Sequence, residues 1–257
     1  DHPHVVYYKG DLQALKRRAV SMVGTSSITQ YGQRACELLV GELAELLPDA
    51  VIVSGLAFGI DGACHRAAMA NGLATVAVLP TPLDNVYPAQ HRTLADEIVR
   101  RGGGILTEYP SGSVGKGTTF LARNRIIAGM SQGTVVVESA AEGGSMITAA
   151  LAHGYNRSVM AVPGRMTDSR SEGTNKLIVT ERGRMICSAR DILTELGWEM
   201  AAGVATKVET EVKGDAARLL DAIPEGGSAT IDDIAEKVGM TISEVVVAMM
   251  GLEFDGL

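Results

Sequence analysis

The chain has 257 residues, 46% apolar and 21% charged, with 30 glycines, three phenylalanines and three cysteines. That length predicts one or two domains and the apolar share excludes wholesale disorder; no run nears the ~20 apolar residues of a membrane span, and Cys36, Cys64 and Cys187 are too few and too scattered for a disulfide framework or zinc knuckle, which predicts a reducing cytoplasm. The net charge of −7 is unevenly placed: residues 214–257 hold two basic and nine acidic residues, whereas residues 91–190 hold 13 basic and eight acidic, net +5.

Residues 1–18 are expected to be a lead-in segment. Ala19–Gly24 reads as a short strand and Tyr31–Leu47 as a helix with Leu38, Leu39, Leu43, Leu46 and Leu47 on its apolar stripe. Ala50–Ser54 predicts a buried strand, Ile60–Asn71 a helix stopped at Gly72, and Ala74–Leu79 a strand closed by Pro80 and Pro82. His91–Arg101 is helical, Gly104–Thr107 a strand, 110–119 a Gly/Ser/Thr-rich loop, Phe120–Met130 a helix and Gly133–Glu138 the clearest buried strand. Ser145–His153, Ser158–Val162 and Gly173–Arg182 continue the alternation, and Met185–Cys187 with Ala189–Leu196 end it near residue 200. Apolar strands alternating with helices predict an α/β fold, an open, mostly parallel, Rossmann-like sheet over 19–200 with helices on both faces. In such sheets ligands lie beyond the carboxyl ends of the strands. Residues 201–214 read as a linker. Residues 215–257 read as a small helix-turn-helix domain, with Thr230–Asp233 and Thr241–Glu244 spaced as capping boxes and Val245, Val246, Met249 and Met250 as the apolar face of its third helix.

Five polar clusters follow strands. VGTSSITQYG (23–32) suits either a phosphate or a plain strand-to-helix turn. It lacks G-x-G-x-x-G, so a dinucleotide cofactor is not expected. In SGLAFGIDGACH (54–65), Asp61 is expected to cap a helix, Asp61 and His65 fit an acid–base pair or a structural hydrogen bond, and Phe58 fits packing or base stacking. In GKGTTFLARNRIIAGMS (115–131), Lys116, Phe120, Arg123, Asn124 and Arg125 at a helix start suit a phosphodiester chain with a base on the ring, or a solvated basic face. In ESAAEGGSMITA (138–149), Gly143, Gly144, Ser145 and Thr148 form a backbone anion nest without the lysine of a Walker loop. The fifth, PGRMTDSRSEGTNKLI (163–178), brings Arg165, Gly173, Thr174, Asn175 and Lys176. The five histidines show no metal-ligand spacing, so no metal is expected.

These motifs, together with AVLPTPLDNVYPAQHR, ILTEYPSG and the closing SARDIL, resemble in this order the DprA/Smf family of DNA-processing proteins over about residues 5–197, with a weaker match over 215–257. The resemblance implies a cytoplasmic, non-enzymatic, homodimeric binder of single-stranded DNA without cofactor. Such a protein protects incoming strands and helps load the RecA recombinase during natural transformation. It also implies DNA contacts at Lys116, Phe120, Arg123, Asn124 and Arg125, with Gly143 to Ser145 as phosphate nest. Ser26 and Phe58 depart from the family pattern, which commonly has Arg at the first and Arg or Lys at the second. The family's small N-terminal helical domain is expected to precede this stretch, and the tail resembles a winged helix cut off before its wing. Its third helix carries Glu244 and Glu253 and no Lys or Arg, so it is expected to contact protein rather than DNA. The rival is a nucleotide phosphoribohydrolase resembling the lysine-decarboxylase-like family, with Glu138, Glu142 and Arg123 as its reactive groups, though A-E-G-G-S-M replaces the expected P-G-G-x-G-T.

Overall fold

Short runs of small and β-branched residues build a single eight-stranded sheet. In chain order the strands are β1 (Tyr7–Gly10), β2 (Ala19–Val23), β3 (Val51–Ser54), β4 (Ala74–Val78), β5 (Gly104–Thr107), β6 (Gly133–Val136), β7 (Ser158–Ala161) and β8 (Arg184–Met185). Their spatial order is β1-β5-β4-β3-β2-β6-β7-β8. Every pairing is parallel save β1 with β5. The molecule is described by a computed structural model covering residues 2–113, 117–200, 218–219, 222 and 230–254.

Among the described residues seven helices cover the sheet: α1 (Gln30–Leu46), α2 (Ile60–Ala70), α3 (Arg92–Arg100), α4 (Gly117–Met130), α5 (Gly144–Gly154), α6 (Glu172–Val179) and α7 (Ala189–Leu196). Side chains alternate faces along a strand. Val20, Met22, Ile52, Val135 and Met160 therefore pack under α1, α2 and α7, and α3 extends that layer over Ala77 and Ile105. Val23, Val53, Val76, Val136 and Val159 pack under α4, α5 and α6. β3, β4, β5 and β6 are buried at every position, as a sheet covered on both sides requires. The expected open, mostly parallel sheet is what forms.

The lead-in is more than a lead-in. Residues 7–10 form β1, which closes the β5 edge antiparallel, and Leu12–Lys16 form a 3-10 turn. Three of the four β1 residues are exposed, so no buried alternation announces the strand. Gly10, at φ 141°, lets the backbones meet: a Cβ there would stand 2.2 Å from the Gly103 oxygen.

The chain divides into two compact units, 1–204 and 205–257. In the second, α8 (Ile231–Val238) starts on a Thr230–Asp233 capping box and ends on Gly239 in the left-handed region. α9 (Ile242–Phe254) follows, with reciprocal bonds between Thr241 and Glu244. Leu219, Ile234, Val238 and Val245 form the core, with Met249 packed against it. Met250, expected on the same face, is 65% exposed, because the helical turn carries it to the outer side. The linker 201–214 and most of the first tail helix lie outside the described residues. Among the described residues no helix is long and apolar enough to cross a membrane.

Candidate functional site

The strand order reverses between β2 and β6. From β2 the chain winds outward through β3, and from β6 it winds the other way through β7. The loops leaving the two carboxyl ends therefore part and leave a crevice, the usual ligand position in such sheets. A pocket of about 310 Å³ occupies it, lined by Gly24, Thr25 and Ser26 after β2, Ala57 and Asp61 after β3, Phe120, Leu121, Arg123 and Asn124 of α4, and Ser139, Ala140, Gly143, Gly144, Ser145 and Thr148 after β6. Four of the five polar clusters meet there.

The α5 start is the anion-seeking part. Its N-cap is Gly143, which has no side chain to take the first-turn N–H groups, and no side-chain cap replaces it. The Met146 N–H turns back to the Gly143 oxygen at 3.0 Å, and the remaining first-turn donors, on Gly144 and Ser145, stand with the positive end of the helix dipole at the crevice they line. A Cβ at Gly144 would meet nothing within 4 Å, so the space above it is open. Ser145 and Thr148 are buried, and the Ser145 hydroxyl donates to Ser139 Oγ at 2.8 Å, so these side chains shape the floor.

The opposite wall is held by backbone. Thr25 N–H donates to the Glu138 oxygen at 2.8 Å and Ile60 N–H to the Thr25 oxygen at 3.1 Å. Gly59 sits at φ 75°, and a Cβ there would stand 2.2 Å from the Thr25 oxygen, so only glycine lets the β3 loop close on the β2 loop. Ser26 is exposed at the rim. Phe58 is 44% exposed, stands edge-on to His91 with ring centres 5.0 Å apart, and is not among the pocket-lining residues. Phe120 does line the pocket and meets Tyr87 edge-on, also at 5.0 Å. Tyr87, half-exposed in the proline-flanked loop after β4, escaped the sequence reading; an exposed-type aromatic in a loop at the ligand edge was the available sign.

The cations are not where a surface helix start would put them. Arg123 is 5% exposed; its guanidinium donates to the Gly55 oxygen at 2.6 Å and to the Val78 oxygen, and its Nε donates to Asn124 Oδ1 at 3.1 Å. It touches the pocket but braces the carboxyl ends of β3 and β4. Burial lowers its pKa, opposed by Asp61; burial raises that of Asp61, opposed chiefly by Arg123. Arg125 points elsewhere: it pairs with Glu108 and lines a separate recess with Leu106 and Tyr155. Residues two and five apart point to different sides of a helix with 3.6 residues per turn, which turns Arg125 away from Arg123 and Phe120. Lys116 lies outside the described residues.

Two further expectations change. Asp61 caps no helix: its carboxylate accepts from the Gly55 and Ala57 N–H groups of the preceding loop. Nor does it bond His65. The Thr75 hydroxyl donates to the Ile52 oxygen, so His65 Nδ1 donates to Thr75 Oγ1 at 2.7 Å, and the buried Nε2 has no partner. Burial lowers the His65 pKa to about 3. Glu138, one of the groups a glycosidic hydrolase would use, is 2% exposed and accepts from the Thr29 N–H and hydroxyl, locking the start of α1. Glu142 is exposed, and of the three groups only Arg123 is among the residues lining the pocket.

The family described as DNA recombination-mediator protein A matches residues 1–197. A Mycobacterium tuberculosis DprA relative is 38% identical over 253 residues, covering 96% of this chain and 63% of its own length. DprA of Streptococcus pneumoniae is 40% identical over 195 residues, covering 76% and 67%. The chain thus spans roughly two thirds of these relatives' length. The crystal structure of the Streptococcus pneumoniae protein superimposes with TM-score 0.70 at 39% identity, over 75% of this chain and 66% of that one. DNA processing protein A of Helicobacter pylori, studied for its single-stranded DNA binding mode, superimposes with TM-score 0.69 at 31% identity, over 76% and 88%. With the family match spanning the whole sheet and every loop of the switch crevice, this chain belongs to the DprA/Smf family of DNA recombination-mediator proteins.

Proposed function

We propose that this chain binds single-stranded DNA without regard to sequence, as a non-enzymatic cytoplasmic homodimer that shields incoming strands and helps load RecA during natural transformation and homologous recombination. The observation that carries the binding reading is the open start of α5 facing the switch crevice, with the Phe120–Tyr87 aromatic pair on the opposing side. Backbone N–H groups hold a phosphate without selecting a base, and a ring stacks any base. Membership of the family and the Helicobacter pylori relative's binding of single strands support the same reading. Arg123 and Asn124 serve it by holding the crevice in shape, and Lys116, next to α4 in the sequence, supplies a cation.

The test is a titration of poly-dT against blunt duplex over a salt series, with particle mass measured alongside. Single strands bind more tightly than duplex, and the logarithm of affinity falls linearly with the logarithm of salt. Equal affinity for duplex ends this reading. Release of free base from nucleotide monophosphates would restore the hydrolase in its place.

A further inference from the structure

Beside the crevice lies a wider groove of about 910 Å³ between the start of α1 and the loop that leaves β7. The fifth sequence cluster forms one wall of it, and the binding reading above leaves that cluster unused. We infer that Tyr31, Arg165 and Arg170 form a second nucleotide subsite in this groove, which takes a base and its flanking phosphates from the same single strand that occupies the crevice. The inference deepens the proposed function and rests on it.

Tyr31 is 49% exposed, and its hydroxyl donates to the Pro163 oxygen at 2.5 Å, which fixes the ring at the groove wall. A fixed, amphipathic ring is a stacking platform with little ordering entropy left to lose. Arg165 and Arg170 both line the groove, both are exposed, and neither pairs with an acid among the described residues. Among the described residues Asp168 is the single acid in the lining, against these two cations. The loop that carries them is braced. Asn175 brackets Gly164, accepting from its N–H at 3.1 Å and donating to its oxygen at 3.0 Å. Asp168 N–H donates to the Arg165 oxygen and Ser171 N–H to the Asp168 oxygen. A ring and two guanidinium groups on a braced loop match the chemistry of a single strand: stacked base, paired phosphates.

The two recesses share a wall. Ser139 lines the crevice, Arg170 lines the groove, and the Ser139 N–H donates to the Arg170 oxygen at 2.7 Å. A strand seated on the α5 start meets the groove across one backbone hydrogen bond.

The experiment compares oligo-dT of about 4 nucleotides with oligo-dT of about 16, the two ends of the site sizes common for single-strand folds. The complete chain is used, unaltered and as Tyr31→Ala, Tyr31→Phe and Arg165→Ala/Arg170→Ala. Tyr31→Ala weakens the long oligomer about 5- to 150-fold, the range for loss of one stacked base, and leaves the short one within twofold. Tyr31→Phe keeps the ring and keeps the affinity, which separates stacking from the hydroxyl's bond to Pro163. The double arginine variant lowers the salt slope for the long oligomer by about 1.4, at ~0.7 per phosphate contact. Unchanged affinity for the long oligomer in Tyr31→Ala, or equal loss for both lengths, overturns the second subsite and leaves the crevice standing. Failure of the unaltered chain to bind either oligomer overturns both.

Discussion

Helix starts differ sharply between the two units. In the large unit, α5 begins on Gly143 with no side chain on its first-turn donors, and Gly144 and Ser145 line the crevice. In the small unit, α8 and α9 begin on threonines whose partners three residues on, Asp233 and Glu244, accept from the cap N–H and hydroxyl. A capping box satisfies the donors and places a carboxylate where a phosphate would come. The same helix dipole is thus offered to an anion in one unit and closed to it in the other, and what decides is a single side chain at the cap. Even within the large unit α1 and α7 are closed, by Thr29 with Glu138 and by the Ser188–Asp191 capping box.

Acid separates the two units most strongly. His65 is buried and neutral, with a pKa lowered from 6.5 to about 3. The unfolded chain takes a proton below pH 6.5 that the folded chain refuses, so the stability tied to neutral His65 is complete above 6.5 and is lost as pH falls toward 3, by up to on the order of 5 kcal/mol. The small unit has no histidine. Its Asp233 and Glu244 have lowered pKa values, first through the Thr230 and Thr241 hydroxyls and then through backbone N–H groups, so their contribution persists above 3.8 and 4.5 and fades only below. Hydrogen exchange at pH 7.5, 5.5 and 4.5 therefore shows the large unit weakening first, and His65→Gln flattens that trend. Parallel loss in both units would contradict it.

Next in size is Arg123→Ala. It removes the bonds that join Gly55 to Val78 and leaves Asp61 buried without its facing cation, a change of about 3–5 kcal/mol. Denaturant midpoints should fall by that amount, and any loss of DNA binding should follow the loss of fold. A stable variant that has lost only its salt slope would return Arg123 to the role of phosphate contact.

Gly144→Asp makes α5 resemble α8. There is open space for the side chain, and a carboxylate at a helix start adds about 0.3–1 kcal/mol of stability. Single-strand affinity should nonetheless fall at least ~10-fold, equivalent to about 1.4 kcal/mol, because the charge occupies the phosphate position. Phe120→Ala should remove about 1–3 kcal/mol if measured on the same oligomer, as loss of a stacked base does.

The smallest effect is expected from deleting residues 215–257. The deletion removes net −7, so poly-dT affinity stays or rises slightly, and the effect is bounded by a Debye length of ~8 Å at physiological salt. A large loss of affinity at unchanged melting temperature would mean that the acidic helices contact DNA despite their closed starts.

The alternation of strand and helix, the glycine stops and both tail capping boxes were legible in the sequence, because each depends on residues within a few positions of one another. Hydrophobic period and turn chemistry are local, and so the open sheet and its carboxyl edge could be placed before any coordinate. The glycines at 143 and 144 were legible for the same reason: a helix start without a capping side chain is visible in three letters. What Arg123, Asp61, His65 and Glu138 do was decided only in three dimensions. Their partners, Gly55 and Val78, Ala57, Thr75 and Thr29, come from other strands and helices, and only the packed sheet brings them within hydrogen-bond range. Tyr87 beside Phe120, and Tyr31 lining one groove with Arg165, belong to the same class. A buried charge or an orphan donor must be satisfied wherever the fold allows, so tertiary structure, and not spacing along the chain, brought each of these side chains to its partners.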